Sequence, residues 1–121
     1  MNWFVTINKR VIYPVEKKTG LLCIKAVDLA SLPVQPGMYN VIAKPYNSVG
    51  NETYINNVKI PCILKTFIIT NSSYSAQYFD ENEYCQFDFS SVDSVEFQIC
   101  DSKGNIHNDV IGCLKIVVKD M

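Results

Sequence analysis

The sequence has few of the residues on which catalytic and cofactor sites are built. Its 121 residues include one histidine, one tryptophan and five glycines. No glycine-rich segment joins a strand to a helix, which argues against a phosphate-binding loop. With one imidazole, a zinc site would depend on thiolates, yet no two of the five cysteines form a C-x-x-C pair. We therefore expect no metal and no cofactor.

Charge and long apolar runs are also missing. The formal net charge of −1 provides no broad positive field for a nucleic-acid backbone or an anionic membrane. The longest apolar stretch, residues 60–69, is interrupted by Pro61, Lys65 and Thr66, and falls short of the roughly 18 apolar residues of a spanning helix. The basic pair Lys9-Arg10 follows the first apolar run, unlike a secretory signal. We expect no nucleic-acid partner, no membrane partner and no signal-peptide export.

The cysteines are odd in number and lie inside or beside apolar runs. They are Cys23, Cys62, Cys85, Cys100 and Cys113. A secreted disulfide framework normally has an even set placed in loops. Buried free thiols that behave as small hydrophobic side chains are the simpler interpretation, and they indicate folding in a reducing compartment.

The last third of the chain alternates between apolar and polar residues. This period of two appears in residues 84–89, 94–100 and 114–119, with a polar turn at 101–105. Such runs are typical of half-buried antiparallel strands. At 48% hydrophobic and 19% charged residues, the length suits one globular domain covering residues 1–121.

Earlier segments extend the same pattern. Strands are predicted at Trp3–Ile7, Val11–Val15, Leu21–Val27, Gly37–Ala43, Thr53–Ile55, Val58–Ile60 and Ile63–Thr70. Alternation places Phe4 on the face opposite Trp3, Val5 and Ile7, and it places Ala26 on the same face as Leu22 and Ile24. The β-branched run Ile63–Thr70 predicts a central strand covered on both faces. Asn56-Asn57 suits a hairpin turn, and Asp28–Pro36 has room for one helical turn. About eight to ten short strands predict an all-β fold: one β-sandwich, jelly-roll-like.

Candidate catalytic groups are sparse. His107, in the polar loop 104–109, could pair with Asp101 or Asp109 and some cysteine. No cysteine, however, occurs in a context that would lower its pKa. The acids Asp80, Glu81 and Glu83 lack the ligand spacing of an EF-hand. We expect no catalytic residue and a protein that is not an enzyme; a small cysteine- or metal-dependent enzyme stays the third possibility.

Aromatic side chains near loops and strand ends are the remaining candidates. They are Trp3, Tyr46, Tyr54, Tyr74 and Tyr78. Aromatic rings with a polar tip are common anchors of protein interfaces and common stacking platforms for sugars. We select these five as candidate binding residues, for either a protein partner or a ligand.

Two stretches resemble small virion proteins of polinton-like and adintovirus-type elements and of related double-jelly-roll DNA viruses. The first is residues 92–105, VDSVEFQICDSKGN, with the last strand LKIVVK at 114–119; the second is AVDLASLP at 26–33 followed by Tyr39-Asn40-Val41. In that group a strand precedes a D-x-x-G-N turn, a polar loop and a final aliphatic strand. The resemblance implies a jelly-roll capsid component that is assembled in a reducing cytoplasm and located in the virion.

These observations favour a structural protein that works by oligomerising or by docking on a larger capsid protein. Edge strands at Val11–Val15 or Thr53–Ile55 would extend a partner's sheet. The alternative is a ligand-binding β module, either carbohydrate-binding or an attachment domain. It would use the loops 44–52 and 71–83, with Tyr74 or Tyr78 stacked on a sugar ring.

Overall fold

The computed structural model describes residues 1–14, 19–31, 35–53, 62–70, 75–88 and 92–120. Within these ranges all the regular structure is β-strand, and no helix is long and apolar enough to span a membrane. The strands are β1 (Asn2–Thr6), β2 (Arg10–Ile12), β3 (Thr19–Ser31), β4 (Gly37–Tyr46), β5 (Cys62–Ile69), β6 (Ser75–Tyr78), β7 (Cys85–Asp88), β8 (Ser94–Asp101) and β9 (Ile111–Asp120).

The strands form two antiparallel sheets that pack face to face. Sheet A has the order β1-β9-β3-β6, with β7 also paired to β3, and sheet B has the order β2-β8-β4-β5. If β6 and β7 are counted as two halves of one strand, the pairs are nested: β1 with β9, β2 with β8, β3 with β6 and β7, and β4 with β5. A nested hairpin rolled into two sheets is a jelly roll, which confirms the predicted fold class.

The core lies between the sheets and follows the predicted alternation. On β8, Val95, Phe97 and Ile99 are fully buried, and on β9, Leu114 and Ile116 are at most 1% exposed. A single hydrophobic cluster draws on both sheets. The period of two in the last third of the sequence therefore identified the inner faces of β8 and β9.

A β-bulge changes the inward face of β3 halfway along the strand. The register to β9 shifts between Ile24 and Ala26. Leu22 and Ile24 point inward before the bulge, and Val27 and Leu29 point inward after it. Placing Ala26 on the face of Leu22 and Ile24 was therefore wrong, because the extra residue reverses the alternation.

Lys25 occupies the bulge and holds the connection between β6 and β7. Its ammonium group donates to the backbone carbonyls of Phe79 (2.9 Å) and Asp80 (3.4 Å) and to Oδ1 of Asn82 (2.8 Å). The backbone N–H of Phe79 in turn donates to the carbonyl of Lys25 at 2.8 Å. The interruption of the β6/β7 strand therefore lies opposite the bulge in β3.

The structure corrects the interpretation of Ile63–Thr70. This segment forms β5, an edge strand of sheet B with alternating burial, and Ile63 and Ile68 are each 56% exposed. Its β-branched residues reflect strand propensity rather than burial on both faces.

Three other local predictions have different outcomes. The helical turn at 28–36 was wrong at its start, because residues 28–31 continue β3. The loop 71–83 contains a strand, β6, that its polar composition concealed. The hairpin at Asn56-Asn57 lies outside the described residues.

We predict that Ile116→Ala destabilises the fold far more than Ile111→Ala. Both isoleucines lie on β9, but Ile116 is fully buried and Ile111 is 62% exposed. Removing the buried side chain should lower the free energy of unfolding by roughly 2–5 kcal/mol, and the exposed change by less than about 1 kcal/mol. Urea titrations of both variants measure this, and equal losses would contradict the assigned inner face of β9.

Candidate functional site

Asp101 and His107 form the clearest cluster of titratable side chains. Nε2 of His107 lies 3.2 Å from Oδ2 of Asp101, and the imidazole packs edge-on against the Tyr39 ring at 5.6 Å between centroids. The backbone N–H of His107 also donates to the carbonyl of Ile99 at 2.9 Å. The pairing of His107 with Asp101, one of the two acids considered from sequence, is thus present.

Asp101 also closes the turn that follows β8. Its Oδ1 accepts hydrogen bonds from the backbone N–H groups of Lys103 and Asn105, both at 2.9 Å. Gly104 supplies the positive φ of 87° that this turn requires. The Asn105 backbone N–H, with smaller contributions from His107, the Asn105 side chain and Lys103, lowers the pKa of Asp101 to about 2. The carboxylate is therefore held in its ionised form by the turn.

Asn8 fixes the loop that carries His107. Its φ of 64° is in the left-handed region, where asparagine is one of the tolerated residues. Its Nδ2 donates to the carbonyls of His107 (3.3 Å), Asn108 (3.2 Å) and Val110 (3.1 Å). Sequence reasoning missed this residue, because a polar residue after the first strand gives no sign of a partner 100 positions away.

The Asp101–His107 pair has no activated nucleophile beside it in the described structure. Cys100 precedes Asp101 on the same strand, so their side chains point to opposite faces. Burial raises the pKa of the Cys100 thiol, and it likewise raises those of Cys62 and Cys85. These three cysteines are therefore protonated thiols at neutral pH.

No metal centre is assembled by the described residues. They contain no group of three or more histidine, cysteine, aspartate or glutamate side chains placed to hold an ion. Within the acidic segment, Glu83 is paired with Lys65 at 3.2 Å, and this contact lowers the pKa of Glu83. All five cysteines are free thiols.

The five aromatic candidates do not come together on one surface. Trp3 and Tyr46 are only 8% and 7% exposed. They are buried, so their selection as surface anchors is corrected. Trp3 packs edge-on against Tyr13 and Phe97. Tyr54 and Tyr74 lie outside the described residues, whereas Tyr78 is 60% exposed.

The segment 44–52 is a strand end and a compact turn rather than an open loop. Residues 44–46 belong to β4, and Arg10 stacks its guanidinium 3.4 Å from the centroid of the Tyr46 ring. In the turn, Oδ1 of Asn47 accepts from the backbone N–H groups of Val49 and Asn51. Lys44 and Glu52 pair at 2.7 Å. The polar groups that would have to bind a ligand are therefore largely hydrogen-bonded or ion-paired within the segment itself.

A shallow groove lies between the edges of the two sheets. It has a volume of about 450 Å³ and is lined by residues 65–68 of β5 and 77–81 of β6 and its continuation. The Lys65 side chain crosses it, with Nζ 4.7 Å from the centroid of the Phe79 ring. Nε2 of Gln77 donates to the carbonyl of Ile68, which ties the two edges together.

Exposed apolar residues on strands are the surface feature that sequence reasoning missed. Among the described residues, ten large hydrophobic side chains are exposed, and seven of them lie within strands: Phe4, Ile12, Met38, Ile63, Ile68, Tyr78 and Ile111. The alternation in Trp3–Ile7 did place Phe4 opposite the inward residues. Only Tyr78 among the seven had been selected as a candidate.

No protein-family model, curated protein or solved structure matches this chain. No functional residue can therefore be transferred to it from a relative.

We predict that Asp101 makes stability depend on acid pH. Because its folded-state pKa of about 2 lies below the usual 3.8, its contribution is present above about pH 4 and is lost as the pH falls towards 2. Asp101→Asn keeps an oxygen acceptor for the turn but does not titrate. The drop in urea midpoint between pH 5 and pH 2.5 should be smaller in Asp101→Asn than in wild type. Asp109→Asn, in the exposed part of the same loop, is the control, and an unchanged drop in Asp101→Asn would contradict the assignment.

Proposed function

We propose that this chain is a non-enzymatic structural component of a virion that acts through oligomerisation or by docking on a larger capsid protein. The observation that carries the proposal is the set of exposed apolar side chains mounted on strands. Backbone pairing on at least one side holds these positions in place. A surface ordered in this way loses little conformational freedom on association, and this favours assembly.

The exposed apolar residues include one directly paired set across two strands. Met38 on β4 lies directly opposite Ile68 on β5, and they are 54% and 56% exposed. Residues opposite each other in an antiparallel ladder have their side chains on the same face. This pair presents more contiguous apolar surface than the scattered single side chains of an ordinary surface.

Support for the virion comes from the resemblance of residues 92–105 and 114–119 together with the fold. Jelly rolls occur in viral capsid proteins and in lectins, so the fold alone does not choose between the two functions. The free thiols are compatible with assembly in a reducing cytoplasm. Residues 92–105 include β8 and residues 114–119 lie within β9, and each of these strands has a neighbour on both sides in its sheet.

We predict that the mean solution mass rises with protein concentration. Sedimentation between roughly 1 μM and 1 mM, a range that covers weak association, is to be measured with a reductant present so that disulfide cross-links do not contribute. The expected result is a reversible shift from the monomer to a defined oligomer. A monomer mass at every concentration would contradict self-assembly of this chain.

A carbohydrate-binding module is the second candidate, and the groove beside Tyr78 is the observation that favours it. Tyr78 is exposed, and the ammonium groups of Lys25 and Lys115 lie 5.7 and 5.6 Å from its ring centroid. If the groove binds sugars, chemical shifts of residues 77–81 should move when a panel of oligosaccharides is added. Tyr78→Ala should then weaken binding about tenfold, with Phe4→Ala as the control. No shift with any sugar would eliminate this function for the groove.

A further inference from the structure

The edges of the two sheets differ in how well they are protected against pairing with another strand. On β5, the register to β4 shifts between Ile63 and Lys65, so that Leu64 is an extra residue. Lys65 lies opposite the fully buried Val41 and keeps only 12% of its side chain exposed, which marks it as an inward-pointing charge. Bulges and inward-pointing charges on edge strands prevent edge-to-edge association. The β5 edge is therefore protected.

The edges at β2, β6 and β7 are protected by their length and their flanking residues. β2 has three residues, begins at Arg10 and is followed by Pro14, whereas β6 and β7 have four residues each. Short strands, charges and prolines are the usual protective devices of sheet edges. None of these three strands presents a long regular ladder to a partner.

β1 differs from the other described edge strands. Its five residues, Asn2–Thr6, carry no charge and no proline, and their register to β9 is unbroken. Phe4, at its centre, is 69% exposed. By the criteria that identify the other edges as protected, β1 is open to another strand.

The hydrogen-bonding pattern shows which backbone groups of β1 face this open edge. The carbonyl of Met1 accepts from the N–H of Val118, and the N–H of Ile7 donates to the carbonyl of Gly112. Because bonded and non-bonded pairs alternate along an antiparallel ladder, Trp3 and Val5 also bond to β9. The N–H and C=O groups of Asn2, Phe4 and Thr6 therefore point away from β9, into the open edge.

We propose that β1 pairs with β1 of a second copy of this chain, antiparallel and with a two-fold axis beside Phe4. This inference rests on the proposed assembly function and names its interface. Phe4 would lie opposite Phe4 of the second copy, and Asn2 opposite Thr6, with two backbone hydrogen bonds in each pair. The result is one continuous sheet through both copies.

The second copy is the partner that this edge fits best. A partner strand must itself be free to pair, and among the described edges only β1 is unprotected. Self-pairing brings no charged residue opposite another, and it places two exposed Phe4 rings side by side, a favourable cross-strand contact. The nearest cations on that face, Lys115 of each copy opposite Phe4, would be roughly 14 Å apart, three strand spacings. That exceeds the screening length of about 8 Å.

The test combines solution mass with residue-level hydrogen exchange on the full chain without an N-terminal tag. In the dimer, the amides of Asn2, Phe4 and Thr6 should become protected as concentration rises, whereas those of Trp3 and Val5 are protected throughout. Phe4→Lys places two like charges opposite each other at the axis and should hold the protein at the monomer mass. Ile63→Lys, at 56% exposure on β5 beside the groove, is the matched control and should dimerise like wild type.

A second variant tests the backbone bonds separately from the ring. Phe4→Pro removes an N–H that faces the open edge and leaves the bonds to β9 in place. It should remain folded, by circular dichroism, and lose dimerisation. Two results together would overturn the β1 interface while leaving assembly itself supported. Both Phe4 variants would form the same dimer as wild type, and the amides of Asn2, Phe4 and Thr6 would stay unprotected in the wild-type dimer. A monomer at every concentration would overturn both, and oligomers that grow beyond a dimer through β1 would overturn the two-fold arrangement.

Discussion

The pairing of β9 between β1 and β3 is the constraint on which the rest of the sandwich depends. β9 is the last strand of the chain, yet it joins the first strand to the longest one and so holds sheet A together. Its buried residues Leu114, Ile116 and Val118 are part of the hydrophobic core. Met1 and Val118 are hydrogen-bonded across 117 positions, so sheet A is completed only when the two ends of the described chain meet. Closure over such separations is entropically costly, which is why β-sandwiches fold slowly.

The sequence predicted best where one physical rule acts alone. On β8 and β9 the strands are regular, one face is buried, and the period of two identifies that face directly. The same rule failed at Ala26, because a bulge adds one residue and nothing in the residue types announces it. A different rule failed on β5, where a continuous β-branched run was taken to indicate burial on both faces. β-Branched residues favour extended backbone whether or not the second face is covered. Strand order, which decides which strand is an edge, depends on pairings that no local pattern records.

The candidate site was less predictable than the fold for the same reason. A ring's exposure depends on the strands around it: Trp3 is covered by Tyr13 and Phe97, and Tyr46 by Arg10. The contact between Asp101 and His107 was accessible from sequence because the two residues flank one turn. The three carbonyls around the Asn8 amide come from a distant loop. Phe4 was recognised as outward-facing, but its significance became visible only once β1 proved to be an edge.

Protection of the sheet edges connects the fold to the proposed assembly. The groove between β5 and β6 is crossed by Lys65 and bridged by the hydrogen bond from Gln77 to Ile68, so that side of the sandwich resists further pairing. β1 lies at the opposite edge of sheet A from β6. In the proposed dimer, pairing through β1 uses the open edge of both copies and leaves the short β6 and β7 strands at each end of the joined sheet. Growth through sheet A then stops at two copies, because a two-fold interface uses the same edge of both copies and leaves neither β1 free for a third. Any larger assembly would have to use the outer faces, where Met38 and Ile68 lie, and would therefore be built from dimers.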